Sequence, residues 1–142
     1  MVKYLWVMMV LGAASAAMAF PGAVNVKDFG ARGDAVTDDT AAFQAALDAA
    51  APTGSTVECP PARYVFRGTL SIPPGVCLQG TWAGPHAGHL TLGTAFYVYS
   101  GKDDEQGQPF ISMQTASTLK GVTIFYPEQK INDFHPFPWT IQ

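Results

Sequence analysis

The side chains with the greatest potential for chemistry lie in residues 28–40, DFGARGDAVTDDT. The letters DFG match the metal-binding triplet of protein kinases, and the letters RGD match a cell-adhesion tripeptide. Asp34, Asp38 and Asp39 supply carboxylate oxygens, which are the ligands that calcium prefers. This short stretch therefore raises three candidate functions: phosphoryl transfer, cell adhesion and calcium binding.

None of these motifs has the surroundings that its chemistry requires. No glycine-rich phosphate loop precedes Asp28, and the chain contains no His-Arg-Asp catalytic loop. The RGD letters fall in a predicted turn, whereas adhesion needs an exposed mobile loop. The aspartates lack the alternate spacing and the terminal glutamate of a calcium loop. We therefore interpret the glycine and polar positions as turn and helix-cap residues: Gly30, Gly33, Thr37, Asp38 and Asp39.

Two further groups of metal-binding residue types lie later in the chain. His86 and His89 lie close together in a glycine-rich loop, but no third ligand can be named, so we predict no metal site there. Asp103, Asp104 and Glu105 lie between glycine and proline residues, which favours a solvated loop. The alternative for this acidic run is a cation site for an acidic sugar.

Aromatic side chains are the better candidates for ligand contacts. Trp82, Tyr97, Tyr99, Tyr126 and Trp139 offer flat apolar faces to a sugar ring, although such residues more often fill a core. We take Trp82, Tyr126 and Trp139 as the candidate substrate-binding residues. No catalytic residue is identified among these candidates.

One helix and many short strands are predicted to position these residues. Phe43, Ala46, Leu47 and Ala50 form a single apolar stripe, which predicts a helix in residues 40–50. Beyond Gly54 the chain alternates short β-like runs with glycine and proline turns. Because no helices lie between these strands, a doubly wound α/β fold is excluded.

Two all-β architectures fit this pattern, a sandwich of hairpins and a parallel β-solenoid. The solenoid is favoured by a repeat, since the strand that contains Val57 is matched by the later one that contains Val76. The absence of Asn-Gly and Asp-Gly hairpin turns favours it as well. The residues alone leave both architectures open.

Residues 1–19 are predicted to be a signal peptide that is cleaved before Phe20. Lys3 precedes an almost wholly apolar run, and Ala17-Met18-Ala19 places small residues at alternate positions. The run is shorter than the roughly 20 residues of a membrane span. We therefore expect a secreted or periplasmic protein with no membrane contact after cleavage; the alternative is a membrane anchor or a buried helix.

Charge and cysteine placement bear on partners and on cross-linking. Loss of Lys3 with the signal peptide changes the net charge from -3 to -4, and no basic stripe is present, so nucleic acid is not an expected partner.

Cys59 is expected to point inward like Val57, whereas Cys77 precedes the inward-facing Leu78 and points outward. We therefore predict free thiols rather than a disulfide, and the oligomeric state is not predicted.

Two long segments resemble the opening of the pectate-lyase superfamily domain, namely residues 24–50, VNVKDFGARGDAVTDDTAAFQAALDAA, and residues 54–80, GSTVECPPARYVFRGTLSIPPGVCLQG. The family pattern runs from V-x-x-F-G-A-x-G-D-G-x-T-D-D-T through an alanine-rich helix to G-T-L-x-I-P-S-G-V-x-L-x-G. Ala35 stands where that pattern has glycine. The residues that match its first part are Phe29, Gly30, Ala31, Gly33, Asp34, Thr37, Asp38, Asp39 and Thr40.

This resemblance implies an all-β fold, a right-handed parallel β-helix whose N-terminal helix covers the open end of the first coil. It places a capping strand and helix in residues 24–51 and coils from residue 55 onward, within a domain that spans residues 20–142. The catalytic motifs of the family's later coils are not found here. We therefore expect the chain to be the N-terminal portion of a longer protein, truncated at its C-terminal end.

The resemblance also implies a secreted protein that acts on extracellular polysaccharide, pectin-like and containing uronic acids, by hydrolysis or elimination. The catalytic residues would lie beyond this chain, which by itself is expected to be inactive. No cofactor is expected, and Ca2+ would be needed only by a lyase. The alternative is a non-catalytic glycan-binding or structural β-helix of tailspike or cell-surface type, since one fold hosts many activities.

Overall fold

Successive turns of the chain stack in parallel to form three sheets around one apolar core. The computed structural model describes residues 22–84 and 92–142; the predicted signal peptide, His86 and His89 lie outside them. Every pairing between the strands of these sheets is parallel. A hairpin sandwich would be antiparallel, so the predicted all-β parallel β-helix is confirmed.

Each complete coil contributes one short strand to each sheet. Sheet A contains, in stacking order, β1 (Val24–Asn25), β3 (Thr56–Cys59), β6 (Cys77–Gly80) and β9 (Thr118–Lys120). Sheet B contains β2 (Asp34–Asp38), β4 (Ala62–Phe66), β7 (Thr94–Val98) and β10 (Val122–Phe125). Sheet C contains β5 (Leu70–Ile72) and β8 (Ile111–Met113), and Ile141 adds a parallel bridge to Ile111.

The interval between equivalent positions of sheet A is longer than the sequence pattern indicated. Val57 pairs with Leu78 and not with Val76, so the predicted repeat match is wrong in register. Val76 and Leu78 are both fully buried. Side chains along a strand alternate with a period of two. Changing the partner of Val57 from Val76 to Leu78 moves the strand by two residues and therefore leaves every apolar residue on the same face. Burial pattern alone therefore could not distinguish the two registers.

Aromatic side chains fill the core at the end of the first coils. The ring of Phe43 contacts the rings of Tyr64, Phe66 and Phe96 edge-on, with centroid distances of 4.8, 5.0 and 5.4 Å. All four side chains are fully buried. Edge-to-face packing of this kind is favourable beyond the area that it removes from water, so this aromatic cluster joins the helix to sheet B.

Helix α1 (Thr40–Ala50) forms where its apolar stripe predicted a helix, and it packs over the end of the first coil, as the family resemblance implied. Its buried residues are the four that were predicted, Phe43, Ala46, Leu47 and Ala50. The side-chain amide of Gln44 accepts from the backbone N–H of Ser71 at 2.9 Å and donates to its carbonyl at 3.1 Å. Gln44 thereby satisfies the free edge of β5 as a neighbouring strand would. Within the described residues, no helix is long and apolar enough to cross a bilayer.

The stretch at residues 28–40 contains more regular structure than the predicted turn. A 3₁₀ helix (Val26–Phe29) overlaps its start, and β2 (Asp34–Asp38) pairs with β4 as a strand of sheet B, which the sequence interpretation missed. Gly30 and Gly33 have φ values of 94° and 61°, in the region that favours glycine. The residues of β2 alternate between exposed and half-buried, so the sequence of β2 has no apolar strand pattern. The strand therefore depends on its pairing with β4 and not on the β propensity of its own residues.

The three predicted helix-cap residues make different hydrogen bonds. A carboxylate oxygen of Asp38 accepts from the backbone N–H of Thr40 at 3.0 Å, a free amide of the first helical turn. Asp39 precedes the helix but makes no side-chain bond to it; its carboxylate accepts from the N–H groups of Arg32 and Gly33 at 2.6 and 3.1 Å. The Thr37 hydroxyl donates to Asp34 at 2.9 Å. The side chain of Asp39 therefore stabilises the turn at Arg32 and Gly33 instead of capping the helix.

Ala35 has a φ of 65°, at the position where the family pattern has glycine. We expect Ala35→Gly to raise the free energy of unfolding by about 0.5–1 kcal/mol, because it relieves a left-handed conformation. Gly33→Ala, the opposite change in the same turn, should lower it by about 3 kcal/mol, since its Cβ would lie 2.6 Å from that of Ala62. Urea unfolding of the two variants measures both effects; stabilisation by Gly33→Ala would contradict this backbone geometry.

Both cysteines are free thiols. Cys59 is buried, and Cys77 is half-buried and pairs with Thr56, out of phase with the inward-facing pair Val57 and Leu78. Burial raises the pKa of the Cys59 thiol to about 12. The predicted opposite orientation of the two thiols therefore agrees with the register of β3 and β6.

Candidate functional site

A row of polar side chains crosses the outer face of sheet A from coil to coil. Asn25 pairs with Glu58, Glu58 with Gln79, and Gln79 with Lys120. Adjacent strands lie about 4.8 Å apart, so this register aligns the four side chains along the solenoid axis. Glu58 and Lys120 are exposed, and Asn25 and Gln79 are partly exposed. We call these four residues the polar ladder.

A shallow cavity of about 290 Å³ lies beside the polar ladder, where sheet A turns into sheet B. Its lining includes Glu58 and Gln79 of the polar ladder together with Pro60, Pro61 and Thr81. Trp82 follows directly in the chain, with 68% of its surface exposed. The cavity thus has hydrogen-bonding groups in its lining and is followed in the chain by an exposed aromatic ring, a combination suited to sugars.

The outer face of sheet B differs in chemistry. The ring of Tyr97 packs against that of Phe125 with centroids 5.4 Å apart, and the guanidinium of Arg67 lies 5.0 Å from the centre of the Tyr99 ring. These two tyrosines, considered above for sugar stacking, are therefore engaged in contacts within the protein. Around Tyr97 and Tyr99, the outer face of sheet B therefore offers aromatic packing.

A second, larger cavity of about 680 Å³ lies between the β7–β8 connection and residues 137–142; we call it the corner pocket. Trp139 lines it and is 78% exposed. Trp82 is not among its lining residues, so the two tryptophans belong to different surfaces. The polar residues that line it are Glu105, Gln106, Gln108, Thr140 and Gln142.

Tyr126, the third candidate for substrate binding, supports the corner pocket from within. Its hydroxyl forms a hydrogen bond with that of Thr140 at 3.0 Å, and its ring lies 4.7 Å from that of Phe137. It is half-buried against the core, and this burial raises the pKa of its hydroxyl. The structure thus does not bring Trp82, Tyr126 and Trp139 together at one site.

The acidic run at residues 103–105 is tied to a neighbouring segment. Asp103 contacts His135 Nδ1 at 2.8 Å, and Asp133 approaches His135 Nε2 at 3.4 Å. Lys102 forms an ion pair with Glu128 at 3.4 Å. The part of the chain that the structure describes holds no group of three or more His, Cys, Asp or Glu side chains that could bind a metal. Among residues 22–84 and 92–142, the side chains therefore do not fit a calcium site.

His135 makes the stability of this contact dependent on pH. The hydrogen bond with Asp103 is the main reason why the pKa of His135 is raised above its usual value of 6.5. The contribution of the charged pair is therefore complete below pH 6.5 and is lost as pH rises through the higher pKa of the folded state. We expect the melting temperature to fall more steeply across this range in the wild type than in His135→Gln. Parallel slopes in differential scanning calorimetry would contradict this assignment.

The polar ladder was missed in the sequence because its members come from distant positions. Glu58, Gln79 and Lys120 each lie next to an apolar strand residue, and this alternation marks them as outward-facing. Only the register between coils shows that they align. The sequence therefore indicated that these three side chains face outward, but it did not indicate that they lie side by side.

Similarity to known proteins agrees with this architecture. Residues 23–128 match the family model of rhamnogalacturonase A/epimerase, pectate lyase-like. Mannuronan C5-epimerase AlgE3 of Azotobacter vinelandii is 60% identical over 108 residues, which are 76% of this chain and 5% of that protein. An exopolygalacturonase of Arabidopsis thaliana is 42% identical over 71 residues, 46% of this chain and 16% of that protein.

The fold is also similar to that of a solved structure, ORF18 of Geobacillus virus E2. That chain is 26% identical with a TM-score of 0.55, and the alignment covers 72% of this chain and 20% of that one. The chain spans only a small part of the length of the curated relatives that it matches. Its three parallel sheets and terminal helix are those of a right-handed β-helix, and the family match extends from the first strand to beyond the last. The chain belongs to the rhamnogalacturonase A/epimerase, pectate lyase-like family.

Proposed function

We propose that the outer face of sheet A binds a uronic-acid polysaccharide, in a protein that acts on that polymer. The observation that carries this proposal is the polar ladder, which aligns Asn25, Glu58, Gln79 and Lys120 across four coils. A linear polymer presents hydroxyl and carboxylate groups at regular intervals. A solenoid presents side chains at a fixed spacing along its axis, so the two can match over several units.

Lys120 supplies the charge that such a polymer requires. Its side chain is exposed, and it takes part in no salt bridge among residues 22–84 and 92–142. Gln79 separates it from Glu58, so roughly two strand spacings, about 10 Å, lie between the two charges. The ammonium group of Lys120 is therefore available to the carboxylate of a uronate residue.

The reaction on that polymer is proposed from the relatives. Mannuronan C5-epimerases and an exopolygalacturonase suggest a uronan substrate and either chemistry at the C5 proton, as in epimerisation or elimination, or hydrolysis. Hydrolysis needs two carboxyl groups, one acid and one base or nucleophile. Glu58 is the single carboxylate of the polar ladder, so catalysis would require residues other than those of the ladder.

A second candidate function is glycan binding without chemistry. It is favoured by the same observation, a ladder with one carboxylate. Incubation of the full-length gene product with polygalacturonate and with mannuronan separates the candidates. New reducing ends report hydrolysis, absorbance at about 235 nm reports elimination, and proton NMR of the polymer reports epimerisation. Binding without any of these products favours the second candidate.

The binding proposal is tested by charge changes on and off the ladder. We expect Lys120→Ala to weaken the affinity for a mannuronate hexamer by about two- to fivefold, and Glu58→Gln to strengthen it by removing a like charge. Lys130→Ala removes the same charge from an exposed residue elsewhere and serves as the control. Isothermal titration calorimetry at two salt concentrations measures each change. Equal losses in Lys120→Ala and Lys130→Ala would show that only net charge matters.

We also propose that the protein is exported, with cleavage before Phe20. The short apolar run after Lys3 and the small residues at Ala17 and Ala19 support this proposal. Expression in a secreting host and N-terminal sequencing of the exported product test it. A mature chain that begins at Phe20 is expected, and an intact Met1 on exported material would contradict it.

A further inference from the structure

The corner pocket combines an exposed aromatic ring with uncharged hydrogen-bonding groups. Trp139 contributes the ring, and Gln106, Gln108, Gln142 and Thr140 contribute amide and hydroxyl groups. We infer that the corner pocket is a second glycan-binding site, separate from the polar ladder, and that it takes a neutral sugar residue. It is formed by a connection of sheet B to sheet C, whereas the ladder lies on sheet A.

The chemistry of the lining favours a sugar over an apolar ligand. A pyranose has an apolar face of C–H groups, which stacks on an indole ring, and a rim of hydroxyl groups that donate and accept hydrogen bonds. Each glutamine amide both donates and accepts, so three of them and a hydroxyl can serve that rim. At 680 Å³ the cavity has the volume of a small-ligand site.

The charge of the lining favours a neutral sugar over a uronate. Glu105 is the only ionisable side chain among the described lining residues, and Asp103 and Asp104 precede it in the same loop. Lys102, the neighbouring cation, is paired with Glu128 and does not line the cavity. A uronate carboxylate would therefore meet like charge without a compensating cation. The hydroxyl groups of a neutral sugar can instead donate to Glu105.

Backbone hydrogen bonds join the two segments that line the pocket. The carbonyl groups of Trp139 and Thr140 accept from the backbone N–H groups of Phe110 and Ile111, at 3.2 and 2.9 Å. Next to the lining residues, the Asp103 N–H donates to the carbonyl of Pro136 at 2.8 Å. Because the backbone around Trp139 is fixed before a ligand arrives, little ordering cost is expected on binding.

The experiment measures binding of neutral hexasaccharides to the 142-residue chain. Cellohexaose, mannohexaose and a galactan hexamer are titrated separately, with tryptophan fluorescence and calorimetry as readouts. We expect at least one of them to bind, and Trp139→Ala to weaken that binding at least about tenfold. Phe134→Ala, which removes a comparably exposed aromatic ring outside the pocket, should leave it unchanged. Failure of all three sugars to bind, or equal affinity in Trp139→Ala, would overturn the inference.

A charge variant separates this site from the polar ladder. Galacturonate and mannuronate hexamers should not compete with the bound neutral sugar in the wild type, and they should gain affinity for the pocket in Glu105→Gln. Competition by uronates in the wild type would overturn the inference by showing one shared site. Weaker uronate binding in Lys120→Ala, with the affinity for the neutral sugar unchanged, would support two sites. The two proposals can therefore fail independently.

Discussion

Replacing Phe43 with alanine is expected to lower the free energy of unfolding by about 3–5 kcal/mol, as large deletions in packed cores do. Phe43 is fully buried and is the side chain through which helix α1 contacts three aromatic rings of sheet B. Its removal leaves a cavity between the helix and the first coils, which the fixed strands cannot close. Urea unfolding followed by far-UV circular dichroism measures the loss.

Two controls separate this effect from loss of an aromatic residue in general. Phe43→Leu keeps most of the buried volume and should cost clearly less than alanine. Phe134→Ala removes a ring that is 82% exposed and should change stability by less than about 0.5 kcal/mol. If Phe43→Ala costs no more than Phe134→Ala, helix α1 does not cover the core in the way described.

Replacing Asp39 with alanine is expected to lower the free energy of unfolding by about 3 kcal/mol, because two part-buried hydrogen bonds to its carboxylate are lost and each bond to a charged group contributes about 1.5–3 kcal/mol. The carboxylate of Asp39 is 1% exposed and accepts from the N–H groups of Arg32 and Gly33. The backbone of Asp39 also bonds to Val65 and Phe43, at 2.8 and 3.0 Å. The turn, β4 and helix α1 therefore meet at this residue.

Asp38→Ala is the matched control for Asp39→Ala. The carboxylate of Asp38 is exposed and accepts from the first-turn amide of Thr40, so its removal should cost about 1 kcal/mol, as for other helix caps. Asp39→Asn retains one acceptor oxygen and should fall between the two alanine variants. Chemical denaturation of the three proteins gives the order, and a larger loss for Asp38 than for Asp39 would refute the assigned roles.

The sequence predicted those parts of the fold whose residues form a pattern within one segment of the chain. The stripe of Phe43, Ala46, Leu47 and Ala50 has the helical period, and these residues are buried in helix α1 as expected. Short apolar runs between glycine and proline turns identified β3 to β10 in outline. Resemblance to the β-helix family supplied the stacking, which periodicity had left open between two architectures.

The parts that could not be predicted depend on contacts between distant residues. The members of the polar ladder, Asn25, Glu58, Gln79 and Lys120, lie at unequal intervals along the chain. Long connections between strands change these intervals, so no fixed period reveals the alignment. The role of Asp39 could not be predicted for the same reason. An aspartate that caps a helix and an aspartate that stabilises a turn look alike in the sequence, and only their partner amides distinguish them.

The aromatic candidates show why residue type alone misassigns a site. Trp82 and Trp139 are exposed on different surfaces, whereas Tyr126 is half-buried and supports the wall that carries Trp139. An amphipathic ring serves equally well as a ligand platform and as packing. Exposure and neighbours decide between these roles, and both follow from the order of the coils.

The most direct test of uronan binding by sheet A is an NMR titration of the ¹⁵N-labelled chain with a mannuronate hexamer. We expect the amide resonances of Glu58, Gln79 and Lys120 to shift together and saturably, with those of the corner pocket unchanged. Shifts confined to other surfaces, or no shifts at the highest soluble concentration of the hexamer, would contradict the proposal that the polar ladder is the binding site.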